Sequence, residues 1–393
     1  MLPVPRDQKQ SLSLKDFPKE GSSFQGKIAK YQVTIQLISQ DLFKSGINIP
    51  LLIDVKQVIK LLGKGGFGAV FQVQSSTDNK MYAAKLESYN HSRKVLLMDC
   101  LVLRGAEILK SPHFCKIFEL GKVEGKFRFI IITMLGPSLH TLRTSQARNH
   151  FSLGTSLRFA QQTLEALQVS VNLDLAYLSL DMHSIGFLHR DVKPSNFGIG
   201  RPETNDFHIV YIFDFGLARQ FATRDKDCRL PRISAPFRGT PRYASLNSHR
   251  KREQSPKDDI ESWFYMVIEW TVGALPWRSL KVNQDRDKIM LMKEQSREST
   301  GTDLLLEGCP LPHYRMIMQY VDDLQYTSIP DYGYIYFLLK HIAKKNRILP
   351  DEPLDHDPEH PYTGTETPPS SLPYGVLISS IETKDAIEEA DKK

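Results

Sequence analysis

Eight consecutive residues, His189-Arg190-Asp191-Val192-Lys193-Pro194-Ser195-Asn196, place an acid, a base and an amide at fixed offsets. Asp191 can accept a proton and Lys193 can hold a phosphate. Asn196, five residues after the aspartate, can hold a divalent metal. Arginine and aspartate are common loop residues, so the triplet His-Arg-Asp alone says little. Its weight depends on three further parts: a loop to cover phosphates, a lysine to pair with them, and a second metal ligand.

The chain supplies candidates for all three. A strand-like run from Val55 leads into Gly63-Lys64-Gly65-Gly66-Phe67-Gly68-Ala69-Val70-Phe71. The pattern G-x-G-x-x-G also marks dinucleotide-binding loops, but those open a helix. Here Ala69-Val70-Phe71-Gln72-Val73 alternates and is β-rich, which predicts a second strand and hence a glycine-rich hairpin. Its bare backbone can close over phosphates, and Phe67 at the tip can shield them from water. No Gly-Lys-Ser/Thr ends the loop, so it is not a Walker A loop. The strand-like run Met81 to Leu86 carries Lys85, and a lysine buried in a strand needs an anionic partner. Phosphates plus a helix carboxylate would supply one. Apolar spacing over Lys94 to Lys110 predicts an amphipathic helix, whose best-placed acid is Asp99. The predicted strand Ile209 to Phe213 ends in Asp214-Phe215-Gly216, where Asp214 is placed to ligate Mg²⁺, a hard ion that favours oxygen donors.

The remaining sequence bounds the setting. With 393 residues, 41% hydrophobic and 24% charged, the chain reads as a globular protein of one large domain or two lobes. Cys100, Cys115, Cys228 and Cys309 are scattered, with neither zinc nor disulfide spacing, and suit a reducing compartment. No apolar run reaches the ~18 residues of a membrane span, and the N-terminus does not read as a secretory signal. A cytoplasmic protein, or a nuclear one, is expected. The net charge of +6 is uneven: residues 351–393 hold 11 acidic and 3 basic residues, a net of −8, leaving +14 for the other 350. Such a basic body suits anionic partners or simply a soluble surface, and charge alone leaves both open.

The positioning elements follow from pattern. Residues 1–52 read as a partly disordered extension. Two strands are expected over Lys116–Gly121 and Arg128–Met134, and Gly136-Pro137-Ser138 marks the connection between lobes, with Ser138 able to cap a short helix. Residues 156–184 read as one long helix interrupted by a strand-like stretch, an insert at 169–181. Asp258-Asp259-Ile260-Glu261-Ser262-Trp263 opens an apolar helix ending at Gly273. Helices are expected to about Ile342, and 346–393 reads as an acidic, proline-containing, disordered tail.

Together these segments resemble the protein kinase fold over about Val55 to His341, and within it the casein kinase I group, nearest its tau-tubulin kinase-like branch. GKGGFGAVF, AAKLES, LGPSLHTLR, HSIGFLHRDVKPSNF, DFGLARQF, FRGTPRYASLN and DDIESWFYM carry the resemblance, in the expected order. Most protein kinases read A-P-E after the substrate loop; Ala244-Ser245-Leu246-Asn247 stands here, as is usual for the casein kinase I group. The resemblance implies a bilobal α+β fold, with an N-lobe at 53–135 and a C-lobe at 136–345. It also implies a monomeric serine/threonine kinase using ATP and Mg²⁺. Leu62, Gly63, Lys64, Gly65, Gly66, Phe67, Gly68, Val70, Ala83, Lys85, Asp99 and Leu135 would then bind ATP. Asn196 and Asp214 would bind the metal, Asp191 would be the base, Lys193 would mark the serine/threonine type, and Thr240 would brace both.

Arg224, Arg229, Arg232, Arg238, Arg242, Arg250, Lys251 and Arg252 crowd the expected substrate region. Arg238, Arg242, Arg250, Lys251 and Arg252 are the candidates for reading acidic or phosphorylated protein substrates, since guanidinium groups bind phosphate bidentately. No aromatic-basic motif supports nucleic-acid binding. Two departures from the family favour a competing reading, a catalytically impaired scaffold. Asp99 stands where glutamate is usual, which predicts a long pair with Lys85 or an inward helix shift, and the insert at 169–181 threatens the base of the catalytic loop.

Overall fold

In the computed structural model the described residues are 17–24, 27–28, 56–66, 68–89, 95–168, 186–221, 229–281 and 284–357. Phe67, the insert at 169–181, Arg224, Cys228 and the tail beyond Asp357 lie outside them. Two compact units result, Met1–Glu107 with Cys115–Leu135, and Ile108–Phe114 with Gly136–Lys393.

The first unit is an antiparallel sheet with one helix. Its strands are β1 (Ser23–Phe24), β2 (Lys27–Ile28), β3 (Lys56–Lys64), β4 (Gly68–Ser75), β5 (Met81–Ser88), β6 (Ile117–Val123) and β7 (Phe127–Thr133), in spatial order β1-β3-β4-β5-β7-β6-β2. The alternation read in 69–73 is realised in β4, which buries Ala69, Phe71, Val73 and Ser75, every second residue. β1 pairs with β3 and β2 with β6, yet only two residues separate β1 from β2. A connection that short cannot span an open sheet, so the segment straps β3 to β6 and closes the sheet on itself. The ion pair of Lys56 with Glu119 at 3.1 Å ties the same two strands. Phe17 enters the core and meets Phe127 at a ring distance of 6.1 Å. Residues read above as an extension thus complete the sheet; local pattern could not show this because their partners lie far along the chain.

Helix α1 (Val95–Ile108) packs beside β5 through two polar contacts. Glu87 accepts the amides of Val95 at 2.6 Å and Leu96 at 3.1 Å, while Asp99, one turn along, meets Lys85. Residues i and i+2 of a strand lie about 6.7 Å apart and residues i and i+4 of a helix about 6 Å. The two spacings match, so β5 and α1 run side by side with two contacts in step.

The second unit is mainly helical: α2 (Leu139–Ser145), α3 (Leu153–Leu167), α4 (Leu246–His249), α5 (Pro256–Val272), α6 (Arg286–Gln295), α7 (Ser299–Leu305), α8 (Leu311–Asp323) and α9 (Tyr332–Lys345). Short strands β8 (Phe187–Leu188), β9 (Phe197–Ile199), β10 (Val210–Ile212) and β11 (Arg219–Gln220) form two antiparallel pairs, β9 with β10 and β8 with β11. Ser138 caps α2, its hydroxyl accepting the Thr141 amide at 3.1 Å. Central α5 is buried nearly all round, and Trp263 donates from it to Ala160 O and Thr163 Oγ1 on α3. Gly273 stops α5 with φ +94°. Residues after Asn346, read above as tail, stay docked to Asp357. Asp355 accepts the Ser152 amide at 2.7 Å, the Ser152 hydroxyl at 2.6 Å and the Thr155 hydroxyl at 2.8 Å, closing the start of α3.

Candidate active site

The loop following β8 is held from behind. Asp259, buried at the start of α5, accepts the amides of His189 at 2.7 Å and Arg190 at 2.8 Å. These bonds hold Arg190 at φ +64°, a left-handed conformation that costs energy for a non-glycine residue. Arg190 Nε donates to Leu217 O at 2.8 Å, and burial, with Arg219 nearby, pulls its guanidinium down to about 10. His189 is fully buried; its Nδ1 accepts the Asp191 amide at 3.3 Å and its Nε2 meets Phe213 O at 3.2 Å. Phe215 is wedged edge-on against the His189 ring at 5.5 Å and stacks on Phe114 at 5.9 Å. The loop and the Asp214-Phe215-Gly216 turn therefore share one packed support.

On that support the Asp191 carboxylate is gripped at both oxygens. Lys193 Nζ donates to Oδ2 at 2.7 Å, Thr240 Oγ1 donates to Oδ1 at 2.8 Å, and Lys193 also reaches Thr240 at 3.1 Å. Gly239, at φ +105°, precedes the threonine, and a Cβ there would stand 2.7 Å from Arg190 O. Only glycine lets the two segments approach this closely.

Asn196 donates its side-chain N–H to Asp191 O at 2.9 Å, which turns its amide oxygen to the other side. Phe213 N donates to Asn196 O at 3.0 Å, continuing the β9–β10 pairing by one step, so that Phe213 stands opposite Asn196 and Asp214 follows one residue on. Asp214 is exposed, with φ +66°. An amide oxygen and a carboxylate are hard donors suited to a small divalent ion that keeps phosphate and water ligands. Asn196 and Asp214 thus fit a metal–phosphate group.

In the sheet unit, Lys85 Nζ stands 2.9 Å from Asp99 Oδ1 and 2.8 Å from Oδ2. The pair is not long: the Glu87 cap draws the start of α1 onto β5, and the shorter acid reaches. Gly65 N donates to Gly68 O at 2.9 Å across the hairpin tip, with Gly63 opposite Val70 and Lys64 opposite Ala69. A Cβ on Gly68 would lie 2.0 Å from Leu86 O, so β4 needs glycine there to approach β5. Leu62 is 41% exposed, Val70 and Leu135 are half-buried, and Ala83 is buried on β5. The exposed backbone of Gly65 and Gly66 and the uncovered Leu62 side chain fit a nucleotide with an apolar base and a phosphate chain.

The five basic candidates divide. Arg250 is engaged by Glu294 at 2.7 and 2.9 Å, and Arg242 leans toward Glu269 at 3.9 Å. Arg238 is half-buried and contributes to the pull on Arg190. Lys251 and Arg252 are exposed.

Residues 56–307 match the model of the protein kinase domain. The chain belongs to the protein kinase family. Among kinases, it is 33% identical to the serine/threonine-protein kinase spe-6 of Caenorhabditis elegans over 76% of this chain and 74% of that protein. It is 34% identical to a Dictyostelium discoideum protein named as a serine/threonine-protein kinase, over 76% of this chain but 55% of the relative, so it spans about half that protein's length. With casein kinase I homolog 2 of Schizosaccharomyces pombe the identity is 29% over 74% of this chain and 63% of that one. The antiparallel sheet unit and helical unit are the two lobes of the kinase fold.

Sequence reasoning missed three supports of this kinase site: Glu87, Asp259 and Glu269, which accepts the Tyr243 hydroxyl at 2.6 Å. Each is a carboxylate buried on a strand or helix. Adjacent acids opening an apolar helix, Asp258-Asp259, were a usable signal, because buried acids demand donors. Glu87 and Glu269 carried none that spacing could reveal.

Proposed function

We propose that this kinase domain transfers the γ-phosphoryl group of ATP to serine and threonine hydroxyls of protein substrates. The observation that carries the reading is Asp191 held between Lys193 and Thr240 at 2.7 and 2.8 Å. A carboxylate fixed at both oxygens can orient a substrate hydroxyl and take its proton as the phosphoryl group transfers. Lys193, beside the base, offers positive charge where negative charge builds on the transferring group. Lys85, held by Asp99, would grip the α- and β-phosphates, and the glycine hairpin would lie over them. Mg²⁺ held by Asn196 and Asp214 would neutralise phosphate charge. Most of the catalysis is then positioning.

The reading extends to the casein kinase I group and its tau-tubulin kinase-like branch. Ala244-Ser245-Leu246-Asn247 and the identity with a casein kinase I homolog support it. Exposed Lys251 and Arg252, with Arg238 tied to the same region by Ser248, whose hydroxyl donates to Arg238 O at 2.7 Å, support acidic or phosphorylated protein substrates. The test is phosphate transfer from labelled ATP to casein by the full chain, with Asp191→Asn as control. Transfer that vanishes in the control is expected. ATP binding without transfer would reject the reading and leave a scaffold.

A further inference from the structure

Lys293, on α6, has no solvent exposure, and the catalytic reading above makes no use of it. Burying an ammonium is costly; burial pulls its pKa well down. Glu261, the carbonyls and the aromatic rings around it favour the charged form, while Arg297 opposes it. Its Nζ donates to Ala244 O at 2.5 Å and Pro241 O at 3.0 Å and comes within 3.4 Å of His249 Nε2. It also lies 4.5 Å from the Tyr265 ring centre and 5.3 Å from that of Trp277.

Both carbonyls belong to the turn that follows Thr240. Within that turn the amides of Tyr243 and Ala244 donate to Thr240 O, each at 2.9 Å. The remaining groups are anchored from outside. Trp277 Nε1 donates to Arg242 O at 2.8 Å, and the Tyr243 hydroxyl donates to buried Glu269 at 2.6 Å. Lys293 holds two carbonyls at once, at both ends of the turn, and shares that of Pro241 with His249 Nε2 at 3.1 Å. Thr240 depends on that turn for its place, and its hydroxyl must stay within hydrogen-bond reach of Asp191.

We propose that Lys293 is a positioning residue whose ammonium pins the Pro241 and Ala244 carbonyls and so sets the Thr240 hydroxyl against Asp191. A methionine of similar length would fill the space but donate nothing, leaving the Ala244 carbonyl unanswered and the Pro241 carbonyl with only its 3.1 Å contact to His249 Nε2. The turn would then drift, and a shift of about 1 Å is enough to cost catalysis heavily.

The proposal rests on the kinase reading, and its test separates the two. In the full chain, Lys293→Met should lower kcat by about tenfold or more while leaving the KM for ATP within about twofold. The Lys293→Met/Thr240→Ala double variant should be no slower than Thr240→Ala alone, since both act through one hydroxyl. A merely structural lysine would instead give losses that multiply. Trp277→Phe, which removes the donor to Arg242 O and shrinks the ring beside Lys293, covers the case in which Lys293→Met does not fold; it should also lower kcat without compounding Thr240→Ala. Amide exchange at Tyr243 and Ala244 should quicken in either variant, with α3 unchanged. Wild-type kcat in Lys293→Met, multiplying losses, or unchanged exchange in the turn would each overturn the proposal. An inactive wild type would fail the kinase reading alone, and exchange would still judge the anchor.

Discussion

The buried carboxylate of Asp259 accepts the backbone N–H of Arg190 at 2.8 Å, across 69 residues of sequence. Together with the His189 bond it keeps Arg190 at φ +64°, and the direction in which Asp191 leaves the loop depends on that angle. Asp259→Asn keeps an acceptor oxygen for one of the two amides and sets an NH2 donor against the other. We expect kcat to fall by about a hundredfold with ATP affinity little changed, since a small misplacement of the base is costly while the nucleotide grip lies on other residues. Steady-state kinetics with parallel ATP titration checks this. Equal losses in both would show that the whole domain had loosened.

Glu87 works in the sheet unit in a similar way. Its carboxylate takes the first amides of α1 and lies 3.5 Å from Arg128. Glu87→Ala should destabilise the domain by about 1–2 kcal/mol, the usual worth of a helix cap, and should weaken ATP binding by loosening the Lys85–Asp99 pair. Glu87→Gln keeps an acceptor oxygen and should recover most of both. Thermal melting and nucleotide titration decide; an alanine variant that melts lower yet binds ATP normally would disconnect the cap from the pair.

How much of this was legible depended on whether a residue's partner lay nearby in sequence. The hairpin at Gly63–Val70, the lysine at 85 and the order of Asp191, Asn196 and Asp214 all express local backbone demands or fixed offsets. The Ser138 cap did so as well. Glu87 and Asp259 did not: each is defined by amides it satisfies on another element. Asp99 was readable as the acid, with a long pair or an inward helix shift both open, because the Glu87 cap that decides between them was invisible. Phe17 and Asp355 look like ordinary extension residues until folding brings Phe127 and Ser152 to them.

Charge on the proposed substrate face is divided by the structure in a way the basic run could not show. Arg250 is held by Glu294, whereas Lys251 and Arg252 point their charge outward. Reversing Lys251 and Arg252 to glutamate should weaken phosphorylation of an acidic peptide by about three- to tenfold, a few exposed-pair energies. The effect should shrink as salt rises, because exposed charges are screened. A neutral peptide should be unaffected. Equal losses on both peptides would remove the case for acidic substrates without touching the catalytic reading.

His249 gives the domain a pH dependence of known sign. Burial first, then Lys293 and Arg286, push its imidazole down to about 3, while its contact with Pro241 O opposes them; the Phe237 ring packs beside it at 5.4 Å. With a folded pKa below the unfolded value near 6.5, the unfolded chain binds the extra proton, so stability is present above that value and lost as pH falls toward 3. Between pH 7.5 and 5.5 the loss from this group is about 1.4 kcal/mol. Asp258 works the other way: burial raises its carboxyl to about 7, so its contribution falls as pH rises. The wild-type curve therefore mixes both, and the reading is the difference between wild type and His249→Phe. In denaturant titrations at the two pH values, that difference should change by about 1.4 kcal/mol, with the wild type losing more on acidification. Parallel curves for the two proteins would mean that His249 titrates normally in the folded chain.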